Sequence, residues 1–300
     1  MTTLTVLIAG RGGQVARALA ASVPEGVNAV CLGRPEMDIT DSASIARAME
    51  TVAPDIVINA AAYTAVDQAE SEPEAARAVN AVAAGALAQA AAARGAPILH
   101  LSTDYVFNGE KSSPYVESDP VAPLGAYGRS KLEGERAVAA GNPQAVILRT
   151  AWVYSPWGKN FARTMLRVGE TREELAVVHD QRGNPTSAGA IAAGLWSIAQ
   201  GYGREAASLM PGVFHMTAQG EASWAEFAEE IFAVSAAAGG PGARIKRITT
   251  AEYPTPTQRP ANSRLDCSAL AAAYGITLPP WRDSTRSVVE ELVRTKGWSA

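Results

Sequence analysis

At 300 residues the chain is long enough for one large core with a smaller attached lobe, since single domains cluster at roughly 100 to 200 residues. With 47% apolar and 19% charged residues it has a globular composition, which excludes disorder as its working state. A net charge of −4 gives no basic footprint for nucleic acid or an anionic membrane, so a small-molecule partner is expected, with any polyanion met by a local pocket.

The opening residues lack the positive region and small-residue cleavage site of a signal peptide, and Thr3 to Ala9 is expected as a first strand. That strand is apolar and β-branched, as for a strand covered on both faces, and Gly10 to Gly13 breaks it before helical spacing begins at Gln14. Strand and helix then alternate: Ala29 to Leu32, Ser42 to Val52, Asp55 to Asn59, Pro73 to Arg94, Pro97 to Ser102, Gly125 to Ala140 and Ala145 to Arg149. This alternation implies right-handed crossovers and a doubly wound, mostly parallel α/β sheet, assigned to residues 1–150. Ala81 to Ala93 is the longest apolar run; it is interrupted by Gln89 and rich in alanine, which suits a buried helix rather than a membrane span.

Beyond Thr150 the rhythm loosens into a smaller mixed α/β lobe, residues 151–300, from which some segments are allowed to return to the first sheet. Helices are expected at Asn160 to Gly169, Thr186 to Gln200, Ser223 to Ala238 and Ser284 to Thr295, with short strands at Ala176 to His179 and Val213 to Met216. Cys31 and Cys267 are the only cysteines, the pattern of reduced thiols, so a cytoplasmic protein is expected.

Three stretches suggest chemistry. Gly10, Gly12 and Gly13, followed by Gln14 and Val15, lie between the first strand and first helix, where glycines let the backbone approach a pyrophosphate and the helix terminus meets its charge. Arg34 stands after the second strand, where an acid would hold a ribose 2'-hydroxyl; with Arg11 it suits a 2'-phosphate, favouring NADPH while leaving NADH open. Asp38 and Ile39 are candidates for the adenine side, although Asp38 equally fits a helix-entry turn, and Ala62, Tyr63 and Thr64 are candidates for the middle of the dinucleotide. Tyr127 and Lys131, four apart, share one helical face, and the fourth strand ends in Ser102, Thr103 and Asp104. A ketoreductase needs such a set: Tyr127 to protonate the oxygen, Lys131 to lower the phenol's pKa and bond the nicotinamide ribose, and Thr103 to orient the substrate oxygen.

Together with Asn59 to Asp67, Arg149 to Tyr154, Asn160 to Leu166, Asp180 to Thr186 and Arg259 to Asp266, these residues resemble the extended short-chain dehydrogenase/reductase family, in its branch acting on dTDP-linked 4-keto-6-deoxy sugars. The resemblance spans nearly the whole chain. It implies NADPH-dependent reduction of the C4 ketone of dTDP-4-dehydro-β-L-rhamnose to dTDP-L-rhamnose, with Asp104 and Trp152 at the sugar beside Thr103. Leu101, where some relatives carry tyrosine, becomes an apolar contact to the cofactor. Some relatives dimerise through a metal held partly by the first helix; here that helix has no acid, so a metal-bridged dimer is not expected, Mg2+ is left open, and monomer and homodimer both stand. Other readings remain: a reductase of another nucleotide-linked 4-keto-6-deoxy sugar; a dehydratase or epimerase of the same fold, dehydration being disfavoured because Tyr105 follows Asp104 where related dehydratases carry glutamate; and a non-catalytic NADP-binding subunit like that of methionine adenosyltransferase.

Overall fold

The structure, a computed structural model, describes residues 3–298; residues 1–2 and 299–300, the outer ends of the two expected lobes, lie outside it. The chain begins with β1 (Leu4–Ala9), α1 (Gln14–Ala21), β2 (Val27–Leu32), α2 (Ser42–Val52) and β3 (Ile56–Asn59). The helix expected from Pro73 is continuous but not uniform: α3 (Pro73–Arg77) passes through a π-helical turn at Ala78–Ala83 into α4 (Ala84–Ala93). β4 (Ile98–Thr103), α5 (Ala126–Gly141) and β5 (Ala145–Thr150) follow.

The second half contains β6 (Val153–Tyr154), α6 (Phe161–Gly169), β7 (Glu174–Val178), β8 (Arg182–Gly183), β9 (Thr186–Ser187), α7 (Ala188–Arg204), β10 (Gly212–His215), β11 (Ala222–Ser223) and α8 (Trp224–Ala237). It ends with β12 (Arg244–Ile248), α9 (Ser268–Tyr274) and α10 (Trp281–Thr295). The last helix starts a turn before the expected Ser284, because Trp281 is buried against Phe227 and draws that turn into the core. No helix among the described residues is long and apolar enough to cross a membrane.

Six strands form the main sheet in the order β10-β5-β4-β3-β1-β2, and every pairing in it is parallel. The fold is doubly wound α/β. Successive strand residues feed opposite layers: Val6, Ile8, Ile58, Leu99 and Val146 pack with Leu19 of α1 and Ile191 and Leu195 of α7. Leu7, Val57, Ile98 and Ile147 face the other way, against Ile45, Leu87 and Val138 of α2, α4 and α5. Winding reverses between β1 and β3, which opens a crevice at the strands' carboxyl ends.

Several pieces of the 151–300 segment belong to this first body. Val213 to Met216, expected as a strand of the smaller lobe, forms β10, which pairs with β5 at the sheet's edge, and α7 covers α1. Left uncovered, β5 would present an unpaired edge. The smaller lobe keeps its own aromatic core of Tyr154, Phe227 and Trp281 with Leu292.

Candidate active site

Gly10 adopts φ +111, a conformation that disfavours side chains, and a Cβ there would press to 3.2 Å on the Ala60 backbone. At Gly12 a Cβ would meet nothing within 4 Å, so the loop faces open space. Gly13 is the N-cap of α1 and supplies no side-chain cap, and no acid occupies the first turn. The first N–H groups of α1 are therefore left to an anion, and the concavity suits a pyrophosphate.

The loop opens into a cleft of about 760 Å³ along the sheet's carboxyl edge. Gly10, Gly12, Gly13, Gln14, Val15, Arg34, Asp38, Ile39, Ala62, Thr64, Leu101, Thr103, Asp104, Tyr127, Lys131 and Trp152 all line it. Tyr63 does not. Its N–H donates to Asn80 Oδ1 at 2.8 Å, its carbonyl accepts from Asn80 Nδ2 at 3.0 Å, and its hydroxyl donates to Glu72 at 2.9 Å, so the ring is turned from the cleft. Two other candidates are engaged locally. Asp38 Oδ1 accepts from Thr40 N at 2.9 Å and Oγ1 at 2.7 Å, closing a turn ahead of α2, whose N-cap is Asp41, and those bonds hold its carboxyl below the ordinary range. Gln14 Oε1 accepts from Ser155 Oγ at 2.9 Å, tying the phosphate loop to the second lobe. Arg34 is exposed at the rim, while Arg11 pairs with Glu36.

Thr103 ends β4, its hydroxyl donating to Asp104 Oδ1 at 2.9 Å and accepting from Tyr105 N at 3.2 Å. Asp104 is 2% exposed, Oδ2 has no hydrogen-bond partner, and burial pushes the carboxyl up to about 6. Tyr127 sits in the first turn of α5, whose opening N–H, at Ala126, donates to Glu70 Oε1 at 2.8 Å. Lys131 is 2% exposed and its Nζ donates to the Leu101 carbonyl at 2.7 Å.

The electrostatics correct one expectation. Lys131 was expected to lower the Tyr127 pKa; instead burial pushes the phenol up to about 12, with the Thr103 hydroxyl pulling the other way, and burial brings Lys131 down to about 8. Tyr127 thus holds its proton at neutral pH, which suits a donor to an alkoxide, a far stronger base than a phenolate.

The small residues around Tyr127 and Lys131 on α5 have packing reasons. A Cβ at Gly128 would collide with the Tyr105 carbonyl, and one at Gly134 with the carbonyl of Asn80, within the π-helical turn. Ser130 Oγ accepts from Asn80 Nδ2 at 3.0 Å. Trp152 holds φ +48 and stacks on Trp224, ring centroids 3.5 Å apart and planes 4° from parallel. Its Nε1 donates to Ser263 Oγ at 3.2 Å, and a side chain at Gly183 would collide with the indole. This explains glycine in the Asp180 to Thr186 segment.

Sequence reasoning missed a buried polar row on the α5 side of the sheet: Asn59, His100, Ser102, Glu135 and Arg149. Its signal was available, since His100 and Ser102 interrupt an apolar strand at alternate, same-face positions. Among the described residues no group of three or more His, Cys, Asp or Glu is placed to hold a metal ion.

A family model described as RmlD substrate binding domain matches residues 4–294. The chain is 48% identical over 290 residues to a dTDP-4-dehydrorhamnose reductase of Sinorhizobium fredii, covering 97% of this chain and 98% of the relative. The crystal structure of a dTDP-4-dehydrorhamnose reductase from Clostridium acetobutylicum superposes with a TM-score of 0.89 at 37% identity, over 96% of this chain and 99% of that one. A dTDP-4-dehydrorhamnose reductase from Bacillus anthracis, in complex with NADP, gives 0.90 at 31% identity over 97% and 100%.

Proposed function

Since the chain belongs to the RmlD substrate binding domain family, we propose that it is an NADPH-dependent oxidoreductase reducing the C4 ketone of dTDP-4-dehydro-β-L-rhamnose to dTDP-L-rhamnose. The observation that carries this reading is the convergence of Thr103, Tyr127 and Lys131 on one cleft with the phosphate loop.

NADPH, when bound, supplies the hydride for the carbonyl carbon. Gly10 to Gly13 and the uncapped start of α1 would hold its pyrophosphate, Arg34 its 2'-phosphate, and Lys131 its nicotinamide ribose. Thr103, its hydroxyl proton turned from Asp104 to the substrate, would donate a hydrogen bond to the ketone oxygen, and Tyr127 would pass its phenolic proton to that oxygen as negative charge develops. Trp152, held by Trp224 and Ser263, offers a flat wall to the sugar, and Asp104 an acceptor for its hydroxyls. Tyr105 has no carboxylate with which to abstract the proton beside the ketone, which supports reduction over dehydration.

Tyr127→Phe is expected to slow NADPH oxidation by about 10²-fold or more while NADPH still binds; turnover equal to wild type removes Tyr127 from the mechanism. In a panel of dTDP- and UDP-linked 4-keto-6-deoxy sugars, dTDP-4-dehydro-β-L-rhamnose is expected to give the highest kcat/KM.

A further inference from the structure

The buried row beneath α5 contains an ion pair that the hydride-transfer reading does not use. Asn59, His100, Ser102 and Arg149 stand near the carboxyl ends of β3, β4 and β5, and Lys131 and Glu135 descend on them from α5. All six are 4% exposed or less. The Glu135 carboxylate is fixed on both oxygens: Oε1 accepts from Ser102 Oγ at 2.5 Å and Arg149 Nε at 2.9 Å, and Oε2 from Arg149 Nη2 at 2.7 Å. Taking two charges out of water consumes most of what their attraction returns, so such a pair contributes little to stability compared with apolar packing. Its location suggests another use, because Glu135 lies four residues after Lys131 on the same helix face.

We propose that Glu135, clamped by Arg149 and Ser102, is a positioning residue that keeps a fixed negative charge one helical turn behind Lys131, and so keeps the Lys131 ammonium charged and seated on the Leu101 carbonyl. The proposal rests on the reading of Tyr127 and Lys131 as the reducing pair. Other groups bear on Lys131 from each packed element. His100 on β4 would oppose the ammonium if protonated, but burial holds it well below the usual imidazole range, so it is neutral in the working range. Arg149 on β5 is committed to Glu135, and Tyr127 on α5 and Asp104 after β4 line the same cleft as Lys131. Burial brings Lys131 down to about 8, with Glu135 acting against it. Without Glu135, therefore, the ammonium loses its proton at lower pH.

Glu135→Gln is expected to move the alkaline limb of the pH–rate profile toward acid by about one unit, with Glu135→Asp largely restoring it. Competitive acetylation of Lys131 against pH, read by mass spectrometry on the intact protein, should show the same displacement without any turnover. That second readout separates the two ideas: a wild-type protein inert toward every sugar tested defeats the functional reading, while an unmoved labelling curve defeats this one. If Glu135→Gln does not fold because Arg149 is left unpaired, the double variant Glu135→Leu/Arg149→Leu removes both charges and should show a displacement in the same direction but smaller, because loss of the Arg149 cation partly offsets loss of the carboxylate. Loss of thermal stability with both curves unmoved reduces Glu135 to a structural role and overturns the proposal.

Discussion

Asp104 is a carboxyl group buried in the lining of the cleft, with one oxygen bonded by Thr103 and the other without a hydrogen-bond partner. Burial raises it from 3.8 to about 6, so between roughly pH 4 and 6 the folded protein binds more protons at this position than the unfolded chain does. The stability it contributes is therefore present at low pH and lost as pH rises through about 6. Asp104→Asn, which does not titrate, should gain on wild type by up to about 3 kcal/mol between pH 4 and pH 7. Urea unfolding at the two pH values checks this, and an equal difference at both sinks it. Single-residue legibility followed how local each cause is. The glycine turn and the Tyr127 and Lys131 spacing depend on neighbours within a few residues, and both line the cleft as expected. The orientation of Tyr63 depends on Asn80, seventeen residues away, and the level of the Tyr127 phenol depends on how much of the fold covers it. Sequence spacing contains neither.

At the scale of elements, α5 carries Tyr127 and Lys131, and its height above the sheet is set by glycines. The π-helical turn at Ala78–Ala83 projects the Asn80 carbonyl against Gly134, leaving no room for a methyl group. π-helical turns of this kind are rare and concentrate at functional sites. Gly134→Ala should cost about 1 to 3 kcal/mol through overpacking. It should also lower kcat more than it raises the KM for NADPH, since α5 moves with Tyr127 on it. A melt and steady-state kinetics test this; a variant as stable as wild type contradicts the close fit. The alternation of strands and helices was legible because buried parallel strands and amphipathic helices carry different periods. The π-helical turn was not: alanine-rich residues 78–93 satisfy any helical pitch, and only the contacts with Ser130, Tyr63 and Gly134 select the wider one. Which segment of 151–300 returns to the first sheet, Val213 to Met216 as β10, was not legible for a similar reason. A short apolar strand does not say which sheet it joins.

For the whole molecule, the division at residue 150 separates the sequence more cleanly than it separates the core. Ile191, Leu195 and Trp196 of α7 share one apolar cluster with Val6, Ile8 and Leu19, and β10 completes the sheet. A fragment ending at residue 150 would expose that face, so it should bind a hydrophobic dye and melt without a cooperative transition, whereas the full chain melts cooperatively. A sharp transition in the fragment would show that α7 and β10 are accessories. The arrangement also imposes an order on synthesis. Translation adds about 5 to 20 residues per second, so β1 to β5 wait roughly 3 to 13 seconds between the synthesis of residue 150 and that of β10 at residue 215. During that interval the α1 face and the outer edge of β5 are bare, an apolar surface beside an open strand. The nascent chain is therefore most vulnerable to off-pathway association, and most dependent on chaperone cover, just after residues 1–150 have been made and before the segment that seals them.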